Sequence, residues 1–138
     1  MKPVVQEERT GCGIAAVAVI AGVSYARAKR VAASLGISAQ DPRLWSETAY
    51  VRRMLASFTV EVSQATRPFR AWSNLPECAL LAIKWHLKEG RPCWHWVMFV
   101  RGRDQQYVLD SKATLKAPVR TDFGRMKPRW FLPVTLPR

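Results

Sequence analysis

Residues 6–22 read QEERTGCGIAAVAVIAG, and the fold turns on how they are read. Gln6 stands six positions before Cys12, Cys12 lies between Gly11 and Gly13, and a run of small apolar residues follows at once. The pattern predicts a loop that delivers Cys12 to the N-terminus of a helix over residues 12–21. That helix is apolar on nearly every side, which marks a helix buried at the centre of a domain. Gly22 fits the position just past its end. A helix N-terminus carries partial positive charge and N–H groups without intrahelical partners. Cysteine reacts as the thiolate, and positions of this kind lower thiol pKa values. Gly11 and Gly13 are expected to let the backbone turn sharply and approach a substrate closely. The competing reading is a buried cysteine that only opens a core helix, since free Cys is among the most buried residue types.

Outward from this stretch, residues 1–10 read as an extended lead-in, with Pro3 opposing an early helix. Ser24 can cap a second helix to about Leu35, closed by Gly36, with Tyr25, Ala28, Val31, Ala32 and Leu35 at helical spacing. Residues 37–43 read as a loop around Asp41-Pro42. A third helix is predicted over 46–57, on a stripe of Leu44, Thr48, Val51, Leu55 and Phe58. A short strand at 59–63 and an irregular, proline-broken loop at 64–76 follow. Then comes a meander: strands at 79–85, 94–101 (WHWVMFVR) and 106–110 (QYVLD), with turns at 89–92 and 102–105. The tail carries Pro118, Pro128, Pro133 and Pro137 and a last strand at 130–134. Helices first and antiparallel strands after predict an α+β fold with segregated layers, as a single domain over residues 1–138.

The chain has 138 residues with 22 Lys+Arg against 10 Asp+Glu, a formal charge of +12. A field of this sign favours acidic partners: a protein or peptide, nucleic acid or anionic lipid. The basic residues form no long run, so a solvated basic surface competes with specific nucleic-acid binding. Three cysteines without paired spacing, Cys12, Cys78 and Cys93, argue against a disulfide framework and point to a reducing, cytoplasmic compartment. No stretch has the length to span a membrane. Residues 14–23 imitate the apolar part of a signal peptide, but Glu7 and Glu8 precede them where basic residues belong.

A nucleophilic cysteine needs a base and a group that orients the base. The two histidines are His86, read as structural, and His95, in the middle of a predicted strand between Trp94 and Trp96. A turn that pairs Val100 with Tyr107 sets Val97 opposite Asp110 and His95 opposite Lys112. His95, Val97 and Asp110 then share one face, and Asp110 is the diagonal neighbour of His95 at roughly 7 Å between Cβ atoms. A slip of one residue puts them on opposite faces. Gln6 is the fourth piece: its amide and the Cys12 backbone N–H supply two donors for an oxyanion.

Gln6, five residues, Cys12-Gly13 and a small-apolar helix ending in Gly22 resemble the opening of the bacteriocin-processing peptidase family, papain-like cysteine peptidases that cleave double-glycine leaders. Val51-Arg52-Arg53-Met54-Leu55, Leu75-Pro76, His95-Trp96-Val97-Met98-Phe99-Val100 and Tyr107-Val108-Leu109-Asp110 match in order, so the resemblance covers residues 4–135. It implies a papain-like fold in a standalone bacterial domain, with N-terminal helices packed on a C-terminal antiparallel sheet. It also implies Cys12 as nucleophile, His95 as general base and acid, Asp110 as its orienter, Gln6 as oxyanion donor, and small residues, glycine foremost, before the cut. Ser111 departs from the pattern, in which proline usually follows the aspartate.

The expectation is a cysteine peptidase or thiol hydrolase without metal or cofactor, acting on a peptide or protein that the charge predicts to be acidic. The alternative is a catalytically silent papain-like module that binds an acidic peptide or nucleic acid. A zinc site from Cys12, Cys78, Cys93 and a histidine is disfavoured, because Cys93 and His95 sit two apart on a strand. Trp94 and Trp96 are read as core or cleft wall rather than a platform for stacking bases.

Overall fold

The structure, a computed structural model, describes residues 1–115 and 117–136. Pro137, the last of the tail prolines, lies outside them. Three helices come first: α1 (Cys12–Ala21), α2 (Tyr25–Ser34) and α3 (Ala49–Ser57). Strands β1 (Glu61–Val62), β2 (Arg67–Pro68), β3 (Cys78–Lys88), β4 (Arg91–Arg101), β5 (Gln106–Leu109), β6 (Val119–Arg120) and β7 (Trp130–Thr135) follow, with a one-turn helix α4 (Phe123–Met126) before β7. They form an antiparallel sheet in the order β1-β7-β3-β4-β5-β6, and β2 also pairs with β7. The fold class is α+β, as the order of helical and strand patterns predicts.

Helix α1 is buried at every position but Ala21. Ile14 and Val17 have no exposed surface, and burial of such side chains contributes about 1.5–3 kcal/mol each. The helix stops where only a left-handed residue can turn the chain: Gly22 has φ 70°, and the N–H groups of Gly22 and Val23 donate to Val19 and Ala18. Ser24 then caps α2 by accepting from the Arg27 N–H at 3.1 Å. Helices α1, α2 and α3 share one core with Leu80, Trp96, Met98 and Leu132 of the sheet. Leu81, Val97, Phe99 and Phe131 point the other way, into a smaller core closed by Leu75, Met126 and the ring of Trp72. Both faces of β3 and β4 are therefore covered, which is why their sequences read as continuous apolar runs rather than alternating ones.

Several boundaries differ from the sequence reading. Residues 42–45 form a 3-10 turn, because Asp41 accepts from the Arg43 N–H at 2.9 Å and starts that turn, so α3 begins only at Ala49. Part of the irregular 64–76 segment is the short strand β2, which uses the outer edge of β7. The β3–β4 hairpin turns at Glu89-Gly90, so Arg91 and Pro92 already belong to β4. Within the hairpin, β3 carries one extra residue between Ile83 and His86, and Lys84 there has φ 54°. Strand β6 and α4 lie in a segment without hydrophobic periodicity, so no pattern announces them.

Candidate active site

Cys12 is the first residue of α1, behind the N-cap Gly11, and its side chain has no exposed surface. Packing leaves little room for a side chain at the flanking glycines, and neither has a left-handed backbone. A Cβ on Gly11 would lie 2.1 Å from the Tyr25 hydroxyl, and one on Gly13 would meet Val51 at 3.3 Å and Trp96 at 3.4 Å. Gly11 also ends the turn before the helix, its N–H donating to the Glu8 carbonyl at 3.0 Å.

The sheet brings the other groups to the same place. Strand β5 pairs Val100 with Tyr107 and Met98 with Leu109, the register predicted from the 102–105 turn, and then ends. Beyond Met98 the β5 side of β4 is vacant, and the α1 N-terminus occupies it. The Trp96 N–H donates to the Cys12 sulfur at 3.5 Å. The sulfur thus receives positive partial charge from a strand N–H and from a helix end.

His95 Nε2 and Asp110 Oδ1 are 2.7 Å apart, which leaves Nδ1 as the ring nitrogen for the thiol. The His95 side chain is 15% exposed and the Asp110 side chain fully buried. Asp110 also accepts from the Lys112 N–H at 3.0 Å and from Arg120 Nη1 at 3.0 Å. Arg120 reaches it because β6 sets Arg120 opposite Val108, on the Asp110 side of the sheet, and Asp122 holds the guanidinium from behind at 2.7 and 2.9 Å. Burial opposes charge on both members of the pair. It is outweighed on Asp110 by His95, Lys112 and Arg120, which hold the carboxyl at about 2. On His95 it is outweighed by Asp110 and the neighbouring Cys12 sulfur, which hold the imidazole up at about 9. The arrangement favours an imidazolium beside the sulfur.

Gln6 is clamped rather than free. Its Nε2 donates to the carbonyls of Glu8 and Arg9, both at 3.0 Å, and its Oε1 accepts from the Ser111 hydroxyl at 2.7 Å. Its backbone N–H donates to the Ser111 carbonyl at 2.9 Å. The Glu8 carboxylate bonds the Tyr25 hydroxyl and Lys29, both at 2.6 Å, so the loop before Cys12 is tied to α2 as well. Both amide hydrogens of Gln6 therefore face loop carbonyls, and a substrate oxygen would have to take one over.

Gln6 and His95 line one cleft of about 400 Å³, walled by Trp45, Trp94 and the tip of the β3–β4 hairpin. His86 lies exposed on that tip and lines the cleft too, its Nδ1 2.7 Å from the Lys84 carbonyl. Trp96 is core, edge-to-face with Trp94 at 5.8 Å and Trp130 at 5.2 Å. All three cysteines are free and buried, and burial next to Glu77 pushes the Cys78 thiol up to about 12. Among the described residues, no group of three or more His, Cys, Asp and Glu side chains could hold a metal, and no single helix is long and apolar enough to cross a membrane.

Sequence reasoning missed Arg120, Ser111 and the Trp96 N–H. Arg120 follows Pro118 without any local pattern, and a backbone donor leaves no mark in a sequence. Searches against protein-family models, curated proteins and solved structures find no match to the chain.

Proposed function

We propose that this protein is a papain-like cysteine peptidase, or a thiol hydrolase of that fold, working in a reducing compartment. The observation that carries the reading is the Cys12–His95–Asp110 row. A sulfur at a helix N-terminus stands beside an imidazole that is held protonated by a buried, triply bonded carboxylate. In this mechanism the Cys12 sulfur attacks a peptide carbonyl carbon, and the carbonyl oxygen becomes an oxyanion. The Cys12 N–H and one Gln6 amide hydrogen hold that oxyanion. His95 gives its proton to the leaving amine, and the C–N bond breaks to leave a thioester. His95 then takes a proton from water, the hydroxide adds to the thioester carbonyl, and the acid leaves as the sulfur is restored. Asp110 keeps the ring oriented throughout. The resemblance to bacteriocin-processing peptidases supports the same assignment.

The test is mass spectrometry of a complex peptide mixture incubated with the protein and with a Cys12→Ala variant. The expected result is new termini produced only by the wild type. Their absence at every pH between mild acid and mild base would sink the peptidase reading.

A second reading is favoured by one observation. Cys12 is sealed and the Gln6 amide is spent on Glu8 and Arg9, as suits a silent module that binds a peptide in the cleft. It predicts peptide binding without turnover.

A further inference from the structure

We propose that the cleft carries a carboxylate-binding subsite, formed by Lys84 and Lys112, that selects acidic peptide segments. Each lysine closely follows a residue that touches or pairs with the candidate base. Ile83 pairs with His95, and Lys84 follows it at the bulge. Lys112 follows the end of β5, and its N–H is fixed on Asp110, the carboxylate that also bonds His95. Both lysines line the cleft with His95 at its wall.

The backbone at Lys84 is the unusual feature. Its φ of 54° is a left-handed conformation that residues with a Cβ rarely adopt. Bulges of this kind re-aim a side chain and cluster beside functional sites. Here the bulge turns Lys84 toward another cation instead of away from it. Partial burial and then the Lys112 ammonium push the Lys84 pKa down, against the pull of the Asp110 carboxylate. Among the described residues, no carboxylate lies within salt-bridge range of Lys84, Lys88 or Lys112. Of the acids lining the cleft, Glu8 is committed to Tyr25 and Lys29, and Glu7 is exposed on the rim. Lys84 and Lys112 are exposed on the cleft wall, where a ligand carboxylate can reach both.

A peptide carboxylate fits better than nucleic acid. A cleft of about 400 Å³ suits a few side chains. Single-strand binding needs aromatic faces open to bases. Trp94 is 7% exposed and packed on Trp96 and Trp130, and Trp45 is covered by Arg9 at 5.8 Å and Lys88 at 5.2 Å. The inference rests on the proposed function only for what happens to a bound peptide. Binding itself needs no turnover.

The test uses an end-blocked triglutamate peptide and its triglutamine counterpart, titrated into the Cys12→Ala protein at low and high salt. Binding is followed by the NMR shifts of the Lys84, His95 and Lys112 amides. Triglutamate is expected to shift all three, with salt-sensitive affinity, and triglutamine to do so far more weakly. Lys84→Gln and Lys112→Gln should each weaken triglutamate about fivefold, and the double variant should abolish the difference between the peptides. The His95 ring signals serve as the check that each variant is folded. Failure of triglutamate to bind, equal binding of the two peptides, or binding that survives the double substitution each overturns the inference. So does tighter binding of a random single-stranded oligonucleotide at the same amides. Wild-type turnover without triglutamate binding would remove this subsite and leave the peptidase reading standing. Triglutamate binding without turnover would do the reverse.

Discussion

Replacing Asp110 by asparagine tests the polar row where its energetics are most concentrated. The carboxylate has no exposed surface and meets three donors: His95 at 2.7 Å, the Lys112 N–H at 3.0 Å and Arg120 at 3.0 Å. Burial alone would raise its pKa, yet the three donors together lower it from 3.8 to about 2. That preference for the charged form amounts to about 2 kcal/mol. His95 held at about 9 is the same pair seen from the other side, so the two figures are not added. Asp110→Asn is therefore expected to destabilise the fold by about 2 kcal/mol. The upper bound is the roughly 3–5 kcal/mol seen when a buried pair loses one partner. The new amide also presents N–H groups to a ring of donors. With a urea slope of about 2 kcal/mol per molar, the unfolding midpoint falls by about 1 M. The pH dependence has a definite sign. Asp110 is lowered, so its contribution is present above 3.8 and lost as pH falls through about 2. His95 is raised, so its contribution is complete below 6.5 and lost as pH rises through about 9. Urea titrations across this range should give the largest gap between wild type and variant at pH values between 3.8 and 6.5, shrinking through 9. A gap that stays constant from 6.5 to beyond 9, or a variant as stable as wild type, would show that the charged pair adds no such stability.

Arg120→Met removes one donor from Asp110 and strands Asp122; the expected cost is about 1.5–3 kcal/mol, with acid unfolding moved to higher pH, read by circular dichroism. Gly11→Ala places a Cβ 2.1 Å from the Tyr25 hydroxyl, so it should cost about 1–3 kcal/mol in a thermal melt and slow Cys12 alkylation. An unchanged melt would show that the loop yields freely. Gln6→Ala should lower kcat by about 10²–10³-fold with little change in KM if its amide serves the oxyanion. A merely structural Gln6 would instead slow Cys12 alkylation and leave kcat for the intact fraction unchanged.

The sequence made the helices and the central hairpin legible where one short-range signal decided them. Gly22 and Ser24 mark the junction of α1 and α2 because left-handed backbone and side-chain capping depend on single residues. The Val100–Tyr107 register followed from a turn of fixed length, and with it the meeting of His95 and Asp110. Long-range packing was not legible. Gly11 and Gly13 suggested backbone freedom, but their neighbours are Tyr25, Val51 and Trp96, which no local pattern names. Arg120 arrives through a two-residue strand too short to show alternation. Ser111 breaks the resembled pattern, and its hydroxyl holds Gln6 across 105 residues of sequence. The bulge at Lys84 has no glycine to announce it, although the chain is left-handed there.

The measurement that bears most directly on the central claim is the alkylation rate of each cysteine against pH, mapped by mass spectrometry in wild type and His95→Ala. Cys12 is expected to be labelled fastest from mildly acidic pH upward. Cys78, pushed up to about 12 by burial, should stay inert, and His95→Ala should erase the Cys12 advantage. Cys12 labelling no faster than Cys78 or Cys93, or labelling indifferent to His95, would contradict it.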